Sequence, residues 1–185
     1  MTRNLQAKID ELYRLPLEEF TQARNALART LSGRDKKDVS SLAKPSLPAW
    51  VINQTYFRDP PTYKALIDAA EKLRSAHRAA LSGRATDTRT PDQLHRATVE
   101  KAFAKAIAGA EQRGVRITSS VRDTVRRTLA ALPGDEPAGR LTRPPAPAGF
   151  SLLAGVKIRS PKSRVQSPKS RAQSRESRVG KHHAE

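Results

Sequence analysis

The sequence predicts an all-α fold: a small helical bundle with one long antiparallel helix hairpin, a Pro/Gly-rich C-terminal strap and a disordered basic tail. Apolar residues recur every three or four positions over most of residues 1–133, which is the spacing of one helix face. Aromatic residues make up only 4% of the chain and alanine is abundant, which favours closely packed helices over a sheet sandwich. We therefore divide the chain into a helical bundle at 1–133, an extended strap at 134–155 that docks on the bundle, and a disordered basic repeat tail at 156–185.

The segment Lys44–Phe57, KPSLPAWVINQTYF, is the predicted centre of the core because it contains the only tryptophan of the chain. Ser46 has a side chain suited to an N-cap, and Pro48 suits the first helical turn, where its missing N–H would have no partner. The indole of Trp50 covers far more area than the alanines that surround it in sequence. We expect Trp50 to anchor the core; the alternative is an aromatic binding platform on the surface.

Three helices are predicted ahead of the tryptophan helix. The second of them begins at Pro16 and ends at Gly33, since proline suits a first turn and glycine suits the position after a last one. Asp35 is expected to cap the third. The predicted inward-facing residues are Leu5, Ile9, Leu12 and Tyr13 in the first helix, Phe20, Ala23, Leu27 and Leu31 in the second, and Val39 and Leu42 in the third.

Two longer helices are predicted after Asp59, with a polar turn at 84–89 between them, and they form the antiparallel hairpin. Thr90 is the expected cap of the second, with Gln93 completing a capping box. A last helix begins near Ser119 and ends before Pro133. The predicted inward face of the first long helix carries Leu66, Ala70, Leu73, His77 and Leu81. That of the second carries Leu94, Ala97, Lys101, Ala104 and Ala108, flanked by Phe103 and Ile107, and that of the last helix carries Val121, Val125, Leu129 and Leu132.

The composition excludes several kinds of chemistry. The chain has no cysteine, so disulfides and thiol-based metal sites are excluded. His77 and His95 lie on different helices without the neighbouring ligands that a zinc site needs. No nucleophile elbow, phosphate loop or dinucleotide fingerprint occurs. We therefore expect a non-enzymatic protein without metal or cofactor. No apolar run is long enough for a transmembrane helix, and the N-terminus lacks the features of a secretory signal, so the expected location is cytoplasmic.

The net charge of +17 is strongly basic and unevenly distributed. Residues 1–133 carry 24 basic and 14 acidic residues, a net charge of +10, and residues 155–185 add +7. Such an excess attracts polyanions non-specifically. The densest basic segment is Arg113–Arg127, RGVRITSSVRDTVRR, which weakly matches a helix-turn-helix arrangement. Its candidate contacts to an anion or nucleic acid are Arg113, Arg116, Arg122, Arg126 and Arg127.

A plainer interpretation of the same segment is a solvated basic helix face. In that interpretation Asp123 and Arg127, four residues apart, form an ion pair along the helix.

The tail repeats every seven residues from Ser160 and again from Ser167. Pro161 and Pro168 exclude a coiled coil in spite of the period, and the composition is that of a disordered cationic segment. One interpretation is a selected arm that follows phosphates. The other, which we favour, is a translated tandem DNA repeat, because the seven-base string AGTCCAG read in frame encodes Ser-Pro-Glu-Ser-Arg-Val-Gln, one base change from the repeat.

Three segments together resemble a group of small, uncharacterised helical proteins from bacteria. They are Leu12–Leu31, Lys44–Gln54 and Gly139–Gly155, which match the patterns LPLxxFTxARNxLA, KPSxxAWxxNx and GRLTR…GF…LAG. The resemblance covers most of residues 5–155. It implies a bacterial cytoplasmic protein and a tail that is an addition, but no activity, substrate or catalytic residue.

The resemblance also makes the polar residues of these motifs candidates for a site: Arg24, Asn25, Lys44 and Asn53. We favour structural roles for them. Asn53 would hydrogen-bond a carbonyl of the strap, and Arg24 would pair with an acidic neighbour.

Taken together, these observations favour an accessory or regulatory protein that contacts nucleic acid through non-specific phosphate contacts. Such binding would be weak and salt-sensitive. The alternative is a helical protein–protein interaction module whose basic charge is only solubilising. No membrane partner is expected, and the sequence does not specify an oligomeric state.

Overall fold

The computed structural model describes residues 3–145, and these form seven α-helices and no strand. The predicted all-α bundle is therefore confirmed. None of the helices in this range has both the length and the hydropathy to cross a membrane. The helices are α1 Arg3–Arg14, α2 Phe20–Arg29, α3 Gly33–Ser40, α4 Leu47–Arg58, α5 Pro60–Leu81, α6 Arg89–Glu111 and α7 Ser119–Ala131.

Helices α1 to α3 enclose a small core of their own. All four predicted residues of α1 are buried in it, as predicted. The second helix differs from the prediction: residues 16–19 form a turn, closed by the Glu19 N–H donating to Pro16 O at 3.1 Å, and α2 begins at Phe20. The buried members of this core are Leu5, Ile9, Leu12, Tyr13, Phe20, Ala28 and Val39.

The predicted roles of Gly33 and Asp35 were wrong. The helix α2 ends at Arg29, where the Thr30 hydroxyl donates to Leu27 O at 2.8 Å and competes with helix continuation. Gly33, at a φ of 56°, is the first residue of α3, whose N-cap position is Ser32. Asp35 thus lies in the first turn of α3, where its charge complements the helix dipole.

Trp50 is sequestered in the main core, as predicted, with 3% of its surface exposed. Its indole N–H donates to Leu15 O at 2.8 Å, so the polar edge of the ring is satisfied while the rest contacts apolar side chains. This hydrogen bond ties α4 to the turn that follows α1. The main core is built from α4, α5, α6 and α7 together with Leu132 and Leu141.

The long helices α5 and α6 form the predicted antiparallel hairpin, but their caps differ from the prediction. Thr90 lies inside α6, and the Asp87 carboxylate instead accepts from the N–H groups of Arg89 at 2.8 Å and Thr90 at 3.3 Å. An aspartate replaces the predicted capping box because its acceptor reaches two free N–H groups from outside the first turn. At the start of α5, Asp59 accepts from Thr62 N at 3.2 Å.

The inward face that we predicted for the hairpin is wrong near the turn between α5 and α6. Leu81 is 81% exposed and His77 is also exposed, because the buried residues of α5 stop at Ala76. In α6 the buried face is rotated from the predicted one, since Phe103 and Ile107 bury more apolar area than the alanines of the competing stripe. Its buried residues are His95, Val99, Ala102, Phe103, Ala106, Ile107 and Ala110.

His95 is a buried titratable residue of the bundle. It is 9% exposed, and its Nε2 has no hydrogen-bond partner among residues 3–145. Burial lowers the pKa of His95 below its ordinary value; Asp92 opposes that shift and Arg74 adds to it.

We expect the free energy of unfolding to fall as the pH drops below about 6.5, because the unfolded chain binds a proton that the folded chain resists. Urea unfolding at about pH 7.5 and about pH 5.5 measures the difference, and His95→Gln should reduce it. His77→Gln, at an exposed site on the partner helix, is the control. An equal pH dependence in the unsubstituted chain and in His95→Gln would contradict this assignment.

The segment after α7 runs back across the bundle and is fixed at several points. Arg140 donates to Asp10 Oδ1 at 2.7 Å and to Gln6 Oε1 at 2.6 Å on α1. Thr142 O accepts from Ser46 N at 2.8 Å. Gly139 is buried at a φ of 78° against Tyr56. The rest of the strap that we expected to dock on the bundle, residues 146–155 with the apolar Phe150, Leu152 and Leu153, lies outside the described residues, as does the repeat tail.

Candidate anion-binding groove

The polar residues of the resemblance motifs mostly join segments of the chain to each other. Asn53 is fully buried; its Nδ2 donates to Leu141 O and its Oδ1 accepts from Leu141 N, both at 2.9 Å. Arg24 Nη1 donates to Leu42 O at 2.8 Å, and its Nε and Nη2 donate to Asn25 Oδ1. The acidic partner expected for Arg24 is therefore wrong: a backbone carbonyl and an amide take its place.

Lys44 is the exception among these motif residues. It is exposed, and it has no hydrogen bond or ion pair within the described part of the chain.

Two arginines of the predicted basic face are ion-paired with carboxylates from α6. Arg122 on α7 is ion-paired with Glu111. Arg126 pairs with Glu100, with its Nε 3.0 Å from Oε1, and its guanidinium lies 4.1 Å from the centroid of the Phe103 ring. These two arginines fasten α7 to α6, and their charge is locally compensated.

The predicted ion pair between Asp123 and Arg127 is wrong. Arg127 Nε donates to the backbone oxygen of Asp123 at 3.4 Å, and its Nη2 lies 3.5 Å from the Thr124 hydroxyl. Arg127 and Arg116 are exposed, and neither has a carboxylate partner among residues 3–145. Two of the five predicted arginines therefore remain available on the surface as isolated charges.

Arg113 takes part in a different arrangement, a groove of about 430 Å³ between the C-terminal halves of α4 and α6. Its Nη1 donates to Gly109 O at 2.8 Å, and its guanidinium lies 5.9 Å from the centroid of the Trp50 ring. The groove brings it together with Arg58 and Lys105, two cations that our sequence analysis did not select. The remaining lining residues are Gln54, Thr55, Asp59, Ala106, Ala108, Gly109 and Gln112.

The carboxylate that lines this groove, Asp59, already has hydrogen-bond partners. Asp59 Oδ2 accepts from Lys105 Nζ at 2.5 Å and from the Thr62 hydroxyl at 2.8 Å. The hydrogen bond from Lys105 is the main reason why the pKa of Asp59 is lowered from its ordinary value. Asp59 therefore stays ionised at neutral pH and neutralises Lys105 rather than either arginine.

Arg58 and Arg113 are left without a counter-charge. Arg58 Nε donates to the neutral Gln54 Oε1 at 3.3 Å, and within the described residues neither guanidinium has a carboxylate within 4.0 Å. Partial burial lowers the pKa of Arg113, and the neighbouring charge of Arg58 lowers it further. Two like charges facing one groove repel each other, so an anion between them would be bound favourably.

Comparison of the chain with protein-family models, with curated proteins and with solved structures found no match. The function is therefore inferred from the chain's own residues.

Sequence reasoning missed Arg58 and Lys105 because they belong to no basic cluster along the chain. Arg58 follows the aromatic pair Tyr56-Phe57 in α4, and Lys105 lies among alanines in α6. Only the packing of α4 on α6 brings them beside Arg113. No group of three or more potential metal ligands occurs among residues 3–145.

Proposed function

We propose that this protein is a non-enzymatic accessory protein that binds the phosphate backbone of nucleic acids through the groove between α4 and α6. The observation that carries the proposal is the pair Arg58 and Arg113, two guanidinium groups in one groove without a carboxylate partner. Guanidinium groups donate to phosphate oxygens in a planar fork, and such charge-assisted hydrogen bonds are stronger than neutral ones.

The overall charge supports a polyanion rather than a single small anion. The bundle carries an excess of ten positive charges, and the whole chain carries +17. A field of that sign raises the local concentration of a polyanion and speeds its association. Arg116 and Arg127, exposed and without carboxylate partners in the described range, add contacts outside the groove. Because the proposed contacts are to phosphates rather than to base edges, binding is expected to be independent of sequence.

The test is binding of labelled DNA and RNA by fluorescence anisotropy across a salt series. The basic residues of the tail are first replaced by glutamine in the full chain, so that the tail does not mask the groove. Against that background, Arg58→Gln with Arg113→Gln should weaken binding about tenfold at low salt and reduce the slope of log K against log salt by about 2, since each lost phosphate contact contributes ~0.9.

Arg122→Gln with Arg126→Gln is the matched control, because it removes the same two charges from side chains that already have carboxylate partners. It should change affinity less than about threefold. Equal losses in the two double variants would contradict the groove and leave only non-specific attraction to the net charge. Binding that survives both pairs of substitutions unchanged would contradict the proposal outright.

The alternative, a helical protein–protein interaction module, predicts the opposite response of a purified complex to nuclease. A protein partner would remain bound after nuclease treatment, whereas a complex held together by nucleic acid would separate. The exposed leucines at the free end of the hairpin, Leu81 and Leu94, are the observation that favours such a module.

A further inference from the structure

A second concavity, apolar in character, lies on the side of α5 next to the segment that follows α7. Its volume is about 650 Å³, and its lining is dominated by aromatic, aliphatic and proline side chains. The residues that give it this character are Tyr56, Pro60, Pro61, Tyr63, Ile67 and Leu132.

The charged residues of this cleft already have partners. Lys64 Nζ lies 2.6 Å from Asp68 Oδ2, and the Glu136 carboxylate accepts from the backbone N–H and the hydroxyl of Thr142. Among the described residues that line the cleft, no unpaired charge therefore competes for an occupant, and the lining surface is predominantly apolar. A cleft of this kind favours aromatic and aliphatic side chains over a charged segment.

The described chain stops beside this cleft. Gly134 lines the cleft, and a Cβ atom added to Gly134 would lie 3.2 Å from the Cβ of Pro145, the last described residue. Phe150 follows five residues later, and five extended residues reach up to about 17 Å. The chain is therefore long enough to place Phe150 in the cleft, even along an indirect path.

The chain beyond Pro145 contains a single cluster of large apolar residues. It consists of Phe150, Leu152 and Leu153, whereas residues 156–185 are basic and polar with isolated valines, an isoleucine and alanines. No other segment outside the described residues has the chemistry of the cleft.

We propose that Phe150, Leu152 and Leu153 of the same chain occupy the apolar cleft between α5 and the segment 132–138. Burial of one phenylalanine and two leucines would cover the exposed Pro60 and Pro61 and the half-buried Tyr56, and would fix the last part of the strap on the bundle. The occupant is the chain itself, because tethering gives the segment a high effective concentration at the cleft.

A competing location is the groove of about 430 Å³ that Pro144 and Pro145 form with α7. Its lining is Thr124, Arg127, Thr128, Ala130 and Ala131 in addition to the two prolines. Small, polar and cationic side chains fit a phenylalanine poorly compared with two tyrosines, an isoleucine and a leucine. The chemistry therefore favours the cleft on α5, and the two locations are separable by experiment.

Chemical cross-linking tests the location because the chain has no cysteine of its own. Ser151→Cys leaves all three apolar residues in place, and it is paired either with Lys64→Cys at the cleft or with Ala130→Cys at the α7 groove. Both partner sites are exposed and line their concavities. With a short bis-maleimide in dilute solution, the pair with Lys64→Cys should cross-link within one chain at least about tenfold faster than the pair with Ala130→Cys, because a segment seated in the cleft has a higher effective concentration there than at the α7 groove.

Faster cross-linking to Ala130→Cys, or equal rates at both sites, would overturn the proposal. Products joining two chains, with a rate that rises with protein concentration, would assign the cleft to a second copy and overturn it too. Phe150→Ser with Leu153→Ser should abolish the preference for Lys64→Cys, whereas Val165→Ser in the repeat should leave it unchanged. Circular dichroism confirms that each variant keeps its helices. The result is independent of the nucleic-acid groove, since neither Arg58 nor Arg113 is altered.

Discussion

Gly139→Ala should destabilise the bundle by at least about 3 kcal/mol, the largest effect that we expect from a single methyl group. Gly139 has a φ of 78°, a backbone conformation that costs about 1–2 kcal/mol for an L-residue with a side chain. An added Cβ would also lie 2.7 Å from Tyr56 Cε1, closer still to Tyr56 Cδ1, and 3.0 Å from Phe57 Cζ. Both rings belong to α4, so the strap or the helix must shift. Urea unfolding followed by circular dichroism measures the loss.

Gly83→Ala separates the two contributions. Gly83 has a φ of 79°, but an added Cβ there meets nothing within 4 Å. Its cost should be the backbone contribution alone, about 1–2 kcal/mol. If Gly139→Ala costs no more than Gly83→Ala, the close approach of the strap to Tyr56 does not constrain the fold.

Asn53→Ala should lower the free energy of unfolding by about 2–5 kcal/mol. The substitution leaves the N–H and the C=O of Leu141 without their partners in an environment that is 2% exposed. Each unsatisfied buried group costs about 1–3 kcal/mol. Asn25→Ala, at an exposed motif residue seen to accept only from Arg24, is the control and should change the stability by less than about 1 kcal/mol.

Asn53→Asp tests the geometry of the same pair of hydrogen bonds. An ionised aspartate still accepts from Leu141 N but faces the Leu141 carbonyl with a second acceptor, so it should be destabilising at neutral pH. Protonation restores a donor, so the deficit relative to the unsubstituted chain at the same pH should shrink as the pH falls toward about 4. A deficit that stays constant or grows would exclude the two-bond arrangement.

Local sequence patterns predicted the structure correctly where one large side chain or a regular spacing of apolar residues determined it. The stripe of α1, the burial of Trp50 and the hairpin followed from such signals. The bond from Asn53 to a strap carbonyl was also anticipated, although not its return bond from Leu141 N. The face of α6 was not predictable in this way, because alanines supply two overlapping stripes and only the packing of Phe103 and Ile107 chooses between them.

The candidate site was less predictable than the fold. Charge density along the chain selected Arg122 and Arg126, but carboxylates from α6 lie opposite them in space. It selected Arg113 without its neighbour Arg58, which comes from another helix. A charge is available for binding only when the folded chain brings no counter-charge to it. Whether it does so depends on the tertiary structure.

The strap also bears on how the protein is made. Arg140 hydrogen-bonds Asp10, which is 130 residues earlier in the sequence, and Leu141 hydrogen-bonds Asn53, which is 88 residues earlier. A polypeptide emerging from the ribosome can form α1 to α7 in order, but it lacks these two contacts until all seven helices have been synthesised. Until Leu141 has been translated, the side-chain amide of Asn53 has no backbone partner from the strap and is solvated instead. The contacts of the strap, rather than the completion of the helices, are therefore the last part of the described fold that we expect to form during synthesis.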